Sequence, residues 1–157
     1  MTHVLFVCLG NICRSPMAEA IFRQLVEEAG LSDQIQTDSA GTAGYHLGQL
    51  PDPRTRQVCQ SHGIPLDHRA RRVQPEDFFR FQYILAADAK NLSDLESIRP
   101  AEATEVVLAS ITAYDPHQPP ASEVPDPYYG EIEDFEAVYA LLKRCLRQFL
   151  SQRHKSL

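Results

Sequence analysis

The amino-acid sequence predicts a doubly wound α/β domain: a four-stranded parallel sheet in the order 2-1-3-4 with helices on both faces, spanning residues 1–157 as one unit. Three observations predict it. Short apolar runs alternate with stretches of helical periodicity, the signature of repeated β-α units. The helical stretches end at glycine or proline, which marks their boundaries. A length of 157 residues suits a single compact domain with an ordinary core.

The elements follow in order. Val4 to Val7 is uninterruptedly apolar, as a strand covered on both faces must be. From Ser15 to Ala29 the apolar residues Ala18, Ile21, Phe22, Leu25 and Ala29 form a helical stripe, with Ser15 as N-cap, Pro16 in the first helical position and Gly30 as the stop. Ile35 to Ser39 reads as the second strand and Asp52 to His62, closed by Gly63, as the second helix. Tyr83 to Ala87 and Val106 to Ala109 are two more buried strands, and between them Leu92, Leu95 and Ile98 mark a helix that Pro100 ends. The last helix is the clearest, with Phe135, Val138, Tyr139, Leu142, Cys145, Leu146 and Phe149 at steps of three and four. Before it, Ala113 to Tyr129 holds Pro116, Pro119, Pro120, Pro125 and Pro127, a loop too rich in proline for helix or central strand. Ordered loops of that length in small domains are commonly functional.

Composition excludes several classes. With 43% hydrophobic and 23% charged residues the chain is neither disordered nor fibrous, and no apolar run approaches the ~20 residues of a membrane span. A net charge of −6 argues against nonspecific nucleic-acid binding. Met1-Thr2-His3 leads straight into the first strand without a basic segment or a cleavage site, so the expected setting is a cytoplasm with reduced thiols. Cys8, Cys13, Cys59 and Cys145 show neither a CxxC pair nor Cys/His metal spacing, and no metal site or cofactor is expected. Cys59 and Cys145 fall on apolar helix faces and read as structural.

In doubly wound sheets ligands bind beyond the carboxyl ends of the strands, at the first strand-to-helix turn. That turn is Cys8-Leu9-Gly10-Asn11-Ile12-Cys13-Arg14-Ser15. Gly10 and Asn11 both tolerate positive φ, so the segment can wrap into a ring whose N–H groups converge beside a helix N-terminus, a nest for phosphate or another oxyanion. Arg14 can add a bidentate pair of bonds to two phosphate oxygens. The same field favours the thiolate form of Cys8. A lone cysteine at a strand end is ordinarily a small buried hydrophobe; the conjunction of strand, Cys, five residues, Arg-Ser-Pro and helix points instead to an anion site that carries its own nucleophile.

The segment Val4 to Pro16 resembles the active-site signature of the low-molecular-weight protein tyrosine phosphatases. The resemblance continues through Asp38-Ser39-Ala40-Gly41-Thr42, Asp52-Pro53-Arg54, Gly63-Ile64 and Pro125-Asp126-Pro127-Tyr128, in the family's order. It implies a flavodoxin-like sheet and hydrolysis of phosphotyrosine or small aryl phosphates through a phosphocysteine intermediate. In it Cys8 is nucleophile, Arg14 the phosphate clamp and Asp126 the general acid and base, whereas alone Asp126 is a turn carboxylate in a proline loop. Leu9, Gly10, Asn11, Ile12 and Cys13 would supply the phosphate ring, and Ser15 would donate its hydroxyl to the Cys8 sulfur. Asn11, Ser39 and His68 match positions that brace the loop, and Asp88, at the end of the third strand, joins the same network. For His68 a surface histidine is the alternative, because Arg69, Arg71 and Arg72 follow it and a basic run reads as a solvated face or a pocket rim.

Tyr128 and Tyr129, packing residues when read alone, would wall the cleft against the substrate ring, with Tyr45 on the opposing wall where relatives carry tryptophan; this chain has none. Cys13 either packs or traps oxidised Cys8 as a disulfide. The implied partners are tyrosine-phosphorylated proteins, with the chain a monomer or weakly self-associating and with no membrane or nucleic acid. Three other readings stand beside this one. Arsenate reductase shares the loop but needs relay cysteines absent between Cys59 and Cys145. A phosphoarginine phosphatase would carry threonine where Ile12 stands. A non-catalytic phosphate-binding or redox-sensing module would not need Asp126.

Overall fold

The computed structural model describes residues 1–156, and side chains through residue 153. The apolar run at the N-terminus forms β1 (Thr2–Cys8), followed by α1 (Arg14–Glu28), β2 (Ile35–Gly41), α2 (Pro53–Ser61), α3 (Asp77–Arg80), β3 (Tyr83–Ala86), α4 (Ala89–Ile98), β4 (Val107–Ser110), a 3₁₀ turn (Ile111–Tyr114) and α5 (Ile132–Ser156). All three strand pairings are parallel, in the order β2-β1-β3-β4. The expected sheet is therefore the observed one.

Strand alternation sorts the core into two halves. Val4, Phe6 and Cys8 point with Leu85 toward α1 and α5, where Phe22, Leu142, Leu146 and Phe149 close the larger cluster. Leu5, Val7, Ile84 and Ala86 face the other way, onto Phe78, Phe81 and Leu95. Phe149 is the aromatic hub, with ring centroids 5.5 Å from Phe22, 5.3 Å from Tyr83 and 4.8 Å from Tyr114. Tilted and edge-on pairs of this kind contribute about 0.5–1.5 kcal/mol each beyond their buried area. The alternation also brings Cys8 to the carboxyl end of a central strand, on the face that α1 covers.

Gly30 and Gly63 take φ of 72° and 73° just past α1 and α2, which bears out the two glycine stops. Asp52 caps α2 by accepting the Arg54 N–H at 2.8 Å, with Pro53 as the first helical residue. Ser15 does not cap α1. The helix begins one residue earlier at Arg14, behind Cys13 and without a side-chain cap, because the Ser15 hydroxyl is engaged by the preceding loop. The four-residue α3 and the 3₁₀ turn that opens the proline loop were not expected, each too short to show a period. Among the described residues no helix is long and apolar enough to cross a membrane.

Candidate active site

The loop from Cys8 to Arg14 is held from outside by its own carbonyls. Thr42 N–H donates to the Cys8 carbonyl at 2.9 Å, Ala43 N–H to Leu9 at 3.0 Å and Asp52 N–H to Ile12 at 2.8 Å. A planar trans peptide sets N–H opposite C=O. These three bonds therefore turn the N–H groups of Leu9, Gly10 and Cys13 away from the supporting strand and loop, as an oxyanion nest requires. Gly41 makes the support possible, since a Cβ there would lie 2.7 Å from the Leu9 carbonyl oxygen. Gly10 lets His46 approach, and a Cβ would meet that ring at 2.9 Å.

Asn11 has φ of 57°, the left-handed conformation expected of the loop's bend. Its side chain then joins four partners. Nδ2 donates to Ser15 Oγ at 2.7 Å and to Ser39 Oγ at 3.0 Å, while Oδ1 accepts from His68 Nε2 at 2.7 Å and from the Arg71 N–H at 3.0 Å. Ser15 Oγ lies 3.0 Å from Cys8 Sγ. Asn11, Ser39 and His68 are thus brought together as expected, and His68 is buried rather than on the surface.

Two members of this network went unforeseen. Glu19, 3% exposed, accepts from Ser39 Oγ at 2.7 Å and lies 3.2 Å from His68 Nδ1. Arg71 spans Asp38 and Asp77, at 3.1 and 3.0 Å. Burial works against the charge of Arg71, but its bonds to Asp77 and the charge of Asp38 prevail and raise its pKa. The basic run is therefore neither a solvated face nor a pocket rim at this position.

Arg14 is 3% exposed. Its Nη1 donates to Asp88 Oδ2 at 2.8 Å and to the Val124 carbonyl at 3.0 Å, and its Nη2 lies 3.7 Å from Asp126 Oδ2. Desolvation disfavours the cation, yet Cys8, the Asp88 hydrogen bond and Asp126 more than offset it, so its pKa stands above the ordinary arginine value. Asp88 also caps α4 through the Asn91 N–H at 2.8 Å, which fixes its carboxylate. It acts on the guanidinium directly, rather than joining the Asn11 network.

Cys8, Arg14 and Asp126 line one cavity of about 360 Å³ with Leu9, Gly10, Ile12 and Cys13. Its upper wall is Tyr45, Tyr128, Tyr129 and His46, the last not singled out in the sequence although it adjoins Tyr45. Tyr45 and Tyr129 are 75% and 95% exposed, whereas Tyr128 is pinned. Arg54, clamped by Asp52 at 2.9 Å, donates to the carbonyls of Tyr128 and Gly130, both at 2.9 Å. Its guanidinium carbon also lies 4.4 Å over the Phe135 ring. Asp126 accepts the Tyr128 N–H at 3.1 Å.

All four cysteines are free thiols. Burial, with Asp52 and Cys8 nearby, pushes the Cys13 thiol far above its ordinary range, which keeps it protonated. Burial likewise lifts Cys59, beside Glu136, and Cys145, beside Asp115, to about 12. All three are therefore held as thiols in the resting protein.

Fold and site together define a doubly wound α/β protein with a cysteine-centred loop at the carboxyl end of β1. The family model for low molecular weight phosphotyrosine protein phosphatases matches residues 3–157. A human low molecular weight phosphotyrosine protein phosphatase is 46% identical over 152 residues, covering 96% of this chain and 95% of its own. The crystal structure of a protein tyrosine phosphatase from Entamoeba histolytica, with Hepes in its active site, superposes with a TM-score of 0.94 at 35% identity, over 99% of each chain. That of a Drosophila arginine phosphatase does so with 0.91 at 33%, over 98% of each. The chain belongs to the low-molecular-weight protein tyrosine phosphatase family, a family of phosphatase enzymes.

Proposed function

We propose that the protein hydrolyses phosphotyrosine in proteins, and small aryl phosphates, through a phosphocysteine intermediate. The observation that carries this reading is the convergence of Cys8, Arg14 and Asp126 on one aromatic-walled cavity. The phosphate dianion sits in the loop, its oxygens held by amide N–H groups and by Arg14, which Asp88 keeps aimed. The Cys8 thiolate attacks phosphorus as the bond to the tyrosine oxygen breaks, and Asp126 gives that oxygen its proton. Water then attacks phosphorus, Asp126 takes its proton, and sulfur leaves as thiolate, stabilised by the Ser15 hydroxyl 3.0 Å away. A phenyl ring between Tyr45 and Tyr128 lets phosphorus reach a sulfur at the cavity floor, whereas the short serine side chain does not. Tyrosine-phosphorylated proteins of a reducing cytoplasm are the substrates this geometry suits.

Turnover of p-nitrophenyl and phenyl phosphate tests the mechanism. Cys8→Ser abolishes both. Asp126→Ala lowers kcat by about 10²–10⁴-fold on phenyl phosphate and less on p-nitrophenyl phosphate, whose leaving group needs less protonation. Turnover surviving in Cys8→Ser removes the nucleophile, and an unchanged Asp126→Ala removes the acid. The likeness to an arginine phosphatase supports a second reading, which phosphoarginine as competing substrate decides. Ile12 and the aromatic wall favour the aryl ester.

Cys13 lines the same cavity, and we propose that it condenses with the sulfenic acid of peroxide-treated Cys8, releasing water and leaving a reducible disulfide. Activity lost to peroxide then returns with thiol in the wild type and returns less in Cys13→Ser. Equal recovery means that Cys13 only packs.

A further inference from the structure

We propose that Arg69 and Arg72 form a basic lip behind the Tyr45 wall of the cavity, and that this lip selects phosphotyrosine flanked by acidic side chains. The inference rests on the phosphotyrosine reading above and names the class of peptide the site prefers. The segment Arg69-Ala70-Arg71-Arg72 spends its three arginines differently. Arg71 is consumed by Asp38 and Asp77, at 3.1 and 3.0 Å. Arg69 and Arg72 are exposed, and among the described residues neither pairs with a carboxylate. Ala70 and Val73 are buried and anchor the segment, which leaves these two guanidinium groups outward.

Both arginines are seated against the loop that carries Tyr45 and His46. Gly48 N–H donates to the Ala70 carbonyl and Ala70 N–H to the Gln49 carbonyl, each at 2.8 Å, so loop and segment move as one. Arg69 Nη1 donates to the Gly48 carbonyl at 3.0 Å, which occupies one of its five N–H donors. Gly44, the residue before Tyr45, leaves room for the Arg72 stem, whose Cδ would lie 3.9 Å from a Cβ placed there.

The opposite wall has the reverse sign. Asp126 is 45% exposed there, and Glu131 follows it in the open. A chain of net charge −6 repels an acidic peptide as a whole, so local cations decide where one can lie. Unpaired guanidinium groups offer a peptide carboxylate two parallel N–H donors each. An extended peptide advances about 3.3 Å per residue. Residues two or three positions from the phosphotyrosine are therefore the ones that meet a lip directly behind Tyr45.

The test compares two phosphotyrosine peptides, one with glutamates two and three positions to either side and one with glutamines there. Phosphate release gives kcat/KM for each on the full chain. The glutamate peptide is expected to be favoured about 3–10-fold at low salt, the range that two exposed charge pairs supply. The ratio falls toward one in about 1 M salt, where the Debye length is about 3 Å, and in Arg69→Gln/Arg72→Gln. Arg69→Lys/Arg72→Lys retains most of it, which separates charge from shape, and melting curves confirm that both variants fold. A ratio of one in the wild type overturns the lip, as does a preference that survives high salt or the glutamine variant. Equal hydrolysis of both peptides sinks this inference alone, whereas hydrolysis of neither sinks the phosphotyrosine reading beneath it.

Discussion

Asn11 does two jobs that no other side chain combines. Its φ of 57° costs most L-residues about 1–2 kcal/mol, and its amide ties Ser15, Ser39, His68 and the Arg71 backbone to one point. The two contributions separate by mutation. Asn11→Gly keeps the backbone conformation and removes the four bonds, so Ser15 loses its orientation toward Cys8. Displacements of an ångström in such constellations cost on the order of 10²-fold in rate, and kcat on aryl phosphates is expected to fall by up to that factor with the fold retained. Steady-state kinetics beside a melting curve checks it. Wild-type kcat in Asn11→Gly would show that the loop needs only the left-handed bend. The bend was legible in the sequence, because glycine and asparagine advertise it, and Ser39 and His68 were expected beside it; Glu19 and Arg71 were not, since one is contributed from α1 and the other from the irregular segment after α2. One signal for Glu19 was present. It is the single charged residue in the run Pro16-Met17-Ala18-Glu19-Ala20-Ile21-Phe22, and an isolated charge on a helix buried on nearly every side calls for a partner.

Among elements, β1 and α5 were readable because period and burial agree: β1 is buried on both faces, and α5 buries its stripe from Phe135 to Phe149. The start of α1 was misread because serine before proline has the local chemistry of a cap, and only the tertiary pull of Asn11 and Cys8 reassigns its hydroxyl. α2 supplies something propensity cannot express. Its first turn, through Asp52 and Arg54, reaches across to the Tyr128 and Gly130 carbonyls just after Asp126 and stacks on Phe135. Arg54 thereby makes the Tyr128 wall part of the scaffold. Arg54→Met keeps the hydrophobic stem but frees both carbonyls, so the wall loosens while the phosphate loop stays built. The expected result is a KM for aryl phosphates raised several-fold, with a smaller change in kcat and little change in inhibition by inorganic phosphate. A parallel loss of phosphate affinity would mean that Arg54 supports the loop rather than the wall.

At the scale of the molecule, the order β2-β1-β3-β4 places the ends of β1 and β3 side by side, so that Cys8 and Asp88 meet across Arg14 without any long connection. The proline-rich loop that carries Asp126 has no such sheet support and depends on its anchors. Asp115, its side chain enclosed, is one of them: it accepts the His117 and Ala121 N–H groups at 3.0 and 2.8 Å and takes Nε and Nη2 of Arg144 from α5 at 3.0 and 3.1 Å. The Arg144 hydrogen bonds, with the two backbone donors, hold its pKa well below the usual carboxylate range against the opposing effect of desolvation. A depressed native pKa means that the ionised form stabilises the fold. That contribution is complete above the unfolded-state value of ~4 and fades as pH falls below it toward the native value. Asp115→Asn keeps the shape and removes the charge, and loss of charge-assisted bonds of this kind costs about 1–3 kcal/mol. For a chain of this size that is a drop of several degrees in Tm at pH 7. The gap between variant and wild type should narrow steadily from pH 4 to pH 2, because Asp115 of the unfolded wild-type chain takes up its proton while the native carboxylate stays ionised. Melting curves across that range decide it: a gap that stays constant with pH would show that Asp115 anchors the loop by shape alone, and a gap that widens in acid would reverse the sign of the linkage.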